Sequence, residues 1–379
     1  MKIEDMKRFI FGFILCLMLT SCMDSELEKQ LKSVLQGASE RYAEKAAEVE
    51  HSKGVYPFAY ADGQMLAAKD EDAWAGGYFI GSLWMLSQWC EDETLQEAAD
   101  VLTYKYREPE GIDLPHLLTV VNVAHRNGYN VTQNARYSTA MGMVSKLMNG
   151  NARETYRMME PAEGDSVSYL RVVINNMPAI ETIFDMGWDE NVVTHGKNMM
   201  PLLCREDGSV AEGLILGEED KSNPKLFAIY GESVESAWAR GQAWALYGYT
   251  MLYRTTKDEA FLEQSEKIAA YIKQNLPEDG VPNWDFKSDK KQKDSSAAAI
   301  MASAFMDLYA LTDDKQYLQV AEQQLTTLCS QEYIAAKDEC GGLLLKHGVE
   351  NYPQQRLVDA ALVYGDYYLI EAMIRYLNR

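Results

Sequence analysis

The chain has 379 residues and a formal net charge of −21. It is longer than a typical domain, yet one large barrel or toroid can accommodate it and bury a substantial core. The strong acidity counts against nucleic acid and anionic membrane surfaces as partners, because both carry the same sign of charge. An anionic ligand would therefore need a local cationic pocket.

The N-terminal segment has the pattern of a bacterial lipoprotein signal. Two basic residues precede an apolar run over residues 9–19, which is too short to span a bilayer as a permanent anchor. The following Leu19-Thr20-Ser21-Cys22 resembles a lipobox. We therefore expect residues 1–21 to be a signal peptide, Cys22 to be lipidated and residues 22–30 to form a tether to the bacterial cell envelope. The alternative is an ordinary cleaved signal with a chance cysteine.

Motifs for metals and cofactors are missing from the sequence. The four cysteines after Cys22 show no CxxC spacing, and the five histidines form neither an HExxH motif nor a cluster with cysteine. The sequence therefore predicts no dedicated zinc site, no cofactor and buried free thiols.

Most of the chain consists of amphipathic segments joined by short acidic turns. Residues 243–254 and 261–276 place apolar side chains at three- and four-residue steps, and the turn between them ends at Asp258, a predicted N-cap. The same pattern returns over residues 302–329. Such repetition predicts a closed ring or solenoid of helical hairpins, with residues 31–379 as one domain. Loops at one end of such a ring would form a cleft.

Several segments resemble glycoside hydrolase family 88, the unsaturated glucuronyl hydrolases, and the related family 105. They are residues 74–81 (WAGGYFIG), 236–244 (SAWARGQAW), 277–286 (PEDGVPNWDF) with 294–300, and 341–345 with 364–368 (YGDYY). The resemblance extends over nearly all of the chain after the signal. It is strong in the C-terminal half and weak between about residues 108 and 230.

This resemblance implies an all-α fold, an (α/α)6 barrel, and hydrolysis of terminal unsaturated uronic acid on oligosaccharides that lyases release. In that family an aspartate protonates C4 of the C4=C5 double bond, water adds at C5, and the hemiketal opens and expels the next sugar. The reaction requires a carboxyl group that acts as acid and base. It also requires a cation for the uronate and aromatic faces for the ring.

The resemblance supplies candidates for substrate binding. They are Trp74, Trp238, Arg240, Trp244 and His347, with His116 in the same cleft. Trp238, Arg240 and Trp244 alternate in one short segment, so that an aromatic platform and a guanidinium group can converge on one ligand. The alternative is that the tryptophans belong to the core and Arg240 pairs with an internal acid.

The two signature aspartates of the family have no counterpart. The first follows a histidine, and after His116 this chain has Leu117; a rival placement after His125 puts Arg126 there. The second falls on Val172. No catalytic carboxylate can therefore be transferred from the family.

Two carboxylates are candidates for a relocated acid. Glu235 adjoins the tryptophan motif, and Asp113 lies close to His116, which is itself a third catalytic candidate. The alternative for Glu235 is a solvated loop charge or a partner for Arg240. The alternative for Asp113 is ordinary turn chemistry. Other aspartates in the matched segments are expected to be structural: Asp294 as an N-cap, and Asp285 and Asp366 as acceptors of backbone hydrogen bonds.

Three functions remain open. The chain is a divergent glycan-degrading enzyme with a relocated acid, of which a uronyl lyase is one variant. Alternatively it is a non-catalytic lipoprotein that binds an acidic oligosaccharide, or a structural toroid that binds another protein. The aromatic and glycine-containing loops favour sugar over protein as the partner.

Overall fold

The computed structural model describes residues 24–52, 55–106, 114–151, 160–164, 167–217 and 224–379. Cys22 and Asp113 lie outside the described residues. The helices are α1 (Glu26–His51), α2 (Gly76–Cys90), α3 (Glu93–Lys105), α4 (Leu114–Val120), α5 (Arg126–Thr132), α6 (Ala135–Asn151), α7 (Glu181–Asp185), α8 (Asp189–Leu203), α9 (Ala239–Thr256), α10 (Glu259–Asn275), α11 (Ser295–Thr312), α12 (Lys315–Leu328) and α13 (Val363–Leu377). A π-helical turn, Val121–His125, joins α4 to α5, and short 3-10 helices cover Asp70–Ala75, Ile174–Ile180 and Cys340–Gly342.

Inner and outer helices alternate around a ring. The inner wall comprises α2, the α4–α5 pair, Ile174–Ile180 with α7, α9, α11 and α13, and each of these packs against the next. The helices α1, α3, α6, α8, α10 and α12 lie outside, and α1 closes the ring by contacting α12 and α13. The predicted (α/α)6 barrel is therefore confirmed.

The inner helices α2, α9, α11 and α13 are buried on nearly every face. Helix α11 begins with the small residues SSAAA, and its first 14 residues, Ser295 to Leu308, are all buried. Its length and apolar composition would also suit a membrane span, but here they serve a helix enclosed by neighbours. Helix α2 packs closely against the segment that contains Val123: a Cβ atom at Gly81 would lie 2.4 Å from the carbonyl oxygen of Val123.

The outer helices are amphipathic and begin at acidic turns. Helices α3, α10 and α12 have the N-cap residues Asp92, Asp258 and Asp314, each accepting a backbone N–H of the first turn. The residue before each aspartate is in the left-handed conformation and ends the preceding inner helix. The predicted hairpin pattern and the cap at Asp258 are thus confirmed.

Two small antiparallel sheets accompany the helices. Their strands are β1 (Pro57–Ala61), β2 (Gln64–Ala67), β3 (Glu160–Gly164), β4 (Val167–Val173), β5 (Gly213–Gly217), β6 (Lys225–Phe227), β7 (Gly348–Asn351) and β8 (Arg356–Leu362). The strand orders are β2-β1-β8-β7 and β3-β4-β5-β6. The sequence did not predict these sheets, since strands of three to seven residues are too short for a clear alternation of apolar and polar positions.

The barrel has two chemically different ends. At one end α9, α11 and α13 begin, and the β2-β1-β8-β7 sheet lies nearby. At the other end, Glu181 of α7 pairs with Arg126 (2.8 Å) and with Arg254 of α9 (2.5 Å). Arg254 also pairs with Asp307 of α11, which lies 3.6 Å from Arg375 of α13. This ionic cluster links five inner helices, α5, α7, α9, α11 and α13.

Candidate active site

A pocket opens at the end of the barrel where α9, α11 and α13 begin. It is lined by Trp74, Tyr78, His116, Thr119, Asn175, Asn176, Tyr230, Trp238, Arg240, Trp244, Glu350 and Tyr364. The structure therefore brings together five residues that the sequence placed around one cleft: Trp74, His116, Trp238, Arg240 and Trp244.

Stacked aromatic rings form much of the wall. The indole of Trp74 is nearly parallel to the His116 imidazole (centroids 5.7 Å apart) and to the Tyr364 ring (5.9 Å). A second stack joins Tyr230 and Trp238 at 4.9 Å. Flat apolar faces with polar edges suit the C–H faces of a sugar ring.

Arg240 is both a pocket residue and a buried structural cation. Its Nη1 lies 3.2 Å from Asp294 Oδ2, Nη1 also donates to the carbonyl oxygen of Val349, and Nη2 donates to the carbonyl oxygen of Glu350 at 2.6 Å. The guanidinium group lies 4.8 Å from the centroid of the Trp238 ring. Pairing with an internal acid, the alternative considered for Arg240, thus coexists with a place in the pocket.

Glu212 fixes the loop that carries Tyr230. Its carboxylate accepts the backbone N–H groups of Ile229, Tyr230 and Gly231 at 2.9–3.0 Å. Burial raises the pKa of Glu212, and the three donors act in the opposite direction. The loop before α9 is therefore held by an acid outside the pocket wall.

The aspartates that the sequence assigned to structural roles have those roles. Asp294 caps α11, and Asp285 accepts three backbone N–H groups at 2.9–3.2 Å. Asp366 accepts the N–H groups of Leu344 and Leu345, both at 2.8 Å, and the Tyr42 hydroxyl. Burial raises the pKa of Asp366 to about 7. All three predictions are confirmed.

Two other candidates lie away from the pocket wall. Glu235 is exposed, and its backbone N–H donates to Ser233 Oγ at 3.3 Å. His347 pairs with Asp359 at 2.6 Å and packs edge-on against Tyr333. His347 is not among the residues that line this pocket, and its predicted part in substrate binding stays a prediction.

The residues that the sequence resemblance places opposite the two signature aspartates, Leu117 and Val172, lie in α4 and β4. Leu117 is partly buried and packs against the hydrophobic core, whereas Val172 pairs with Leu214 of β5. Neither side chain can donate or accept a proton.

The pocket also contains residues that the sequence did not single out. Three of them, Asn175, Glu350 and Tyr364, each have a buried polar atom without a hydrogen-bond partner in the described part of the chain. Tyr364 lies within a matched segment, which was a usable signal. Glu350 is one acid in a four-residue strand, and no periodicity or motif marked it.

Comparison with solved structures identifies the class of the barrel. A crystal structure of an unsaturated glucuronyl hydrolase specific for heparin superimposes with a TM-score of 0.85 and 30% sequence identity, covering 93% of this chain and 98% of that one. The fold is accordingly that of the α/α-barrel glycoside hydrolases.

Curated relatives identify the family, although no protein-family model matches the chain. The unsaturated glucuronyl hydrolase of Formosa agariphila is 31% identical over 321 residues, which is 80% of each chain. The unsaturated chondroitin disaccharide hydrolase of Streptococcus agalactiae is 24% identical over 402 residues, covering 99% of this chain and 96% of that protein. The chain belongs to the unsaturated glucuronyl hydrolase family, glycoside hydrolase family 88.

Proposed function

We propose that this protein hydrolyses oligosaccharides that end in an unsaturated uronic acid, the products of polysaccharide lyases. One observation carries the proposal: three tryptophans and a buried arginine line the same pocket in a chain whose relatives include unsaturated glucuronyl hydrolases. The aromatic faces would hold the sugar ring, and Arg240 would supply positive charge for the carboxylate.

Arg240 does not act as a free cation in this proposal. Its Nη atoms already contact Asp294 and two backbone carbonyl oxygens, so that its contribution is a fixed positive charge at the pocket wall. A fixed charge suits a pocket that must select an anion without reorganising.

A second function, binding without catalysis, is favoured by a specific observation. By the sequence resemblance, Leu117 and Val172 take the places of the family's signature aspartates, and loss of a positioned acid costs about 10²- to 10⁴-fold in rate. A protein with the pocket but no acid would bind acidic oligosaccharides without cleaving them.

One assay separates these possibilities. The purified protein is incubated with a panel of lyase-generated unsaturated uronyl disaccharides, and the ultraviolet absorbance of the double bond is followed. A hydrolase removes that absorbance, whereas a uronyl lyase creates it from saturated polysaccharide. A binding protein changes neither signal but gives heat in calorimetry with the same disaccharides. Absence of all three responses would contradict the proposal of a uronyl ligand.

We also propose that the protein is exported and anchored in the cell envelope through Cys22. The support is the lipobox-like sequence. Such a location would place the pocket where extracellular or periplasmic lyases release their products, and contact with the membrane would be limited to the lipid.

A further inference from the structure

The pocket contains one carboxyl group among the described residues that line it, and it belongs to Glu350. We infer that Glu350 is the acid and base of the reaction, in place of the two signature aspartates. This inference rests on the proposed hydrolase function and assigns its missing catalytic residue.

The backbone of Glu350 is fixed to the same arginine that lines the pocket. Arg240 donates to the carbonyl oxygens of both Val349 and Glu350, and the Val349 N–H donates to Asp294 Oδ1 at 3.2 Å. Strand β7 is further held by its pairing with β8. A catalytic group on a rigid strand keeps its position while the substrate binds.

The two carboxylate oxygens of Glu350 have different surroundings. Oε1 lies 3.2 Å from Arg356 Nη1, and the side chain is 6% exposed. Oε2 is buried and has no hydrogen-bond partner among the residues that the structure describes. A buried carboxyl oxygen is costly to leave without a partner, so a ligand in the pocket is the natural source of one.

The electrostatic surroundings favour a carboxyl group that can hold a proton. Burial raises the pKa of Glu350, and the nearby acids Asp72 and Glu71 act in the same direction. Arg240 and Arg356 oppose them, but each pairs with a second acid, Asp294 and Asp72 respectively. Such balanced surroundings suit a group that must donate a proton and then recover it.

Glu350 alone can serve as both acid and base through the whole reaction. Protonated Glu350 transfers its proton to C4 of the C4=C5 double bond, and a water oxygen bonds to C5 while that water returns a proton to the carboxylate. The resulting C5 hemiketal then opens: the bond between C5 and the ring oxygen breaks, the C5 hydroxyl loses its proton as C5 becomes a ketone, and the ring oxygen takes up a proton. The exposed C1 hemiacetal then collapses to an aldehyde and releases the next sugar as an alcohol. The net change is consumption of one water.

The test compares Glu350→Gln with wild type on the unsaturated disaccharide that the wild type consumes fastest. Glutamine retains an acceptor for Arg356 but cannot transfer the proton, so kcat should fall about 10²-fold or more while KM changes little. Glu332→Gln, at an exposed site, is the matched control and should behave as wild type. Thermal melting and calorimetric binding verify that the variant is folded.

Two other outcomes would contradict the role proposed for Glu350. If Glu350→Gln keeps the wild-type kcat, or only KM rises, Glu350 is not the acid, and loss of kcat in Glu235→Gln or Asp113→Asn would identify the replacement. In that case the hydrolase function stands. If the wild type binds the disaccharides but consumes none, both the hydrolase function and the role of Glu350 are overturned.

Discussion

Arg240 and Asp294 form an ion pair whose members are 5% and 0% exposed, respectively, with Nη1 3.2 Å from Oδ2. Asp294 also caps α11, so the pair joins the start of α9 to the start of α11. Removing the arginine therefore disturbs folding as well as binding.

We expect Arg240→Ala to lower the free energy of unfolding by roughly 3–5 kcal/mol, because Asp294 is left as an uncompensated buried charge. Urea denaturation followed by far-ultraviolet circular dichroism measures this loss. Lys287→Ala breaks a partly exposed pair with Asp207, 3.5 Å apart, and should cost less than about 1 kcal/mol. Equal effects of the two substitutions would show that the buried pair has no special role. Without urea, and at a temperature at which Arg240→Ala is folded, the affinity of this variant for a uronate should be about tenfold weaker than that of the wild type.

Tyr364→Phe separates binding from stability. The Tyr364 hydroxyl is buried and has no hydrogen-bond partner within the described ranges, so its removal should leave stability unchanged or slightly increased. If a ligand bonds to this hydroxyl, affinity should fall roughly threefold to tenfold. Calorimetry measures the affinity, and Tyr249→Phe, a buried tyrosine of α9 outside the pocket, is the control. Equal affinities of wild type and Tyr364→Phe would exclude the contact.

His125 should make the fold sensitive to acid. Burial lowers the pKa of this histidine to about 4, and Arg136 adds to the effect while a backbone hydrogen bond opposes it. As the pH falls from 6.5 towards 4, the unfolded chain binds a proton that the folded chain does not, so the free energy of unfolding decreases. The loss from this group is roughly 3 kcal/mol at most.

His125→Phe should flatten the pH dependence of stability in that window. Urea denaturation of both proteins at several pH values between 4 and 7 gives the two slopes. Parallel curves for wild type and variant would mean that His125 titrates alike in the folded and unfolded states.

Cys22→Ser should abolish lipidation. Cells grown with a clickable fatty acid are expected to label the wild-type protein and not the variant, and fractionation should move the variant out of the membrane fraction. Labelling of both proteins to the same extent would contradict Cys22 as the acylated residue.

The sequence predicted the barrel because its signals are local and repeated. Apolar periodicity marks the helices, and aspartates such as Asp258 mark their starts. The grouping of Trp74 and Arg240 came from matched segments that keep their order along the chain, and His116 came from the placement of the family's histidine motif. Neither kind of signal depends on a contact between distant residues.

Glu350 could not be predicted in this way. Its place in the pocket depends on the pairing of β7 with β8 and on hydrogen bonds from Arg240, 110 residues earlier in the chain. A single glutamate in a four-residue strand has no periodicity to reveal which way it faces. The same holds for Glu212, whose three backbone partners lie 17–19 residues away.

The shared orientation of α9, α11 and α13 has a consequence for association kinetics. The N-terminal ends of α9 and α13 border the pocket through Trp238, Arg240 and Tyr364, and their positive dipole ends attract an anion over a few ångströms. The net charge of −21 repels the same anion at long range. Added salt shortens the screening length to about 8 Å at physiological strength, which weakens the distant repulsion more than the attraction inside the pocket. An acidic oligosaccharide should therefore bind faster as ionic strength rises, the reverse of the behaviour of an enzyme that steers its substrate by net charge.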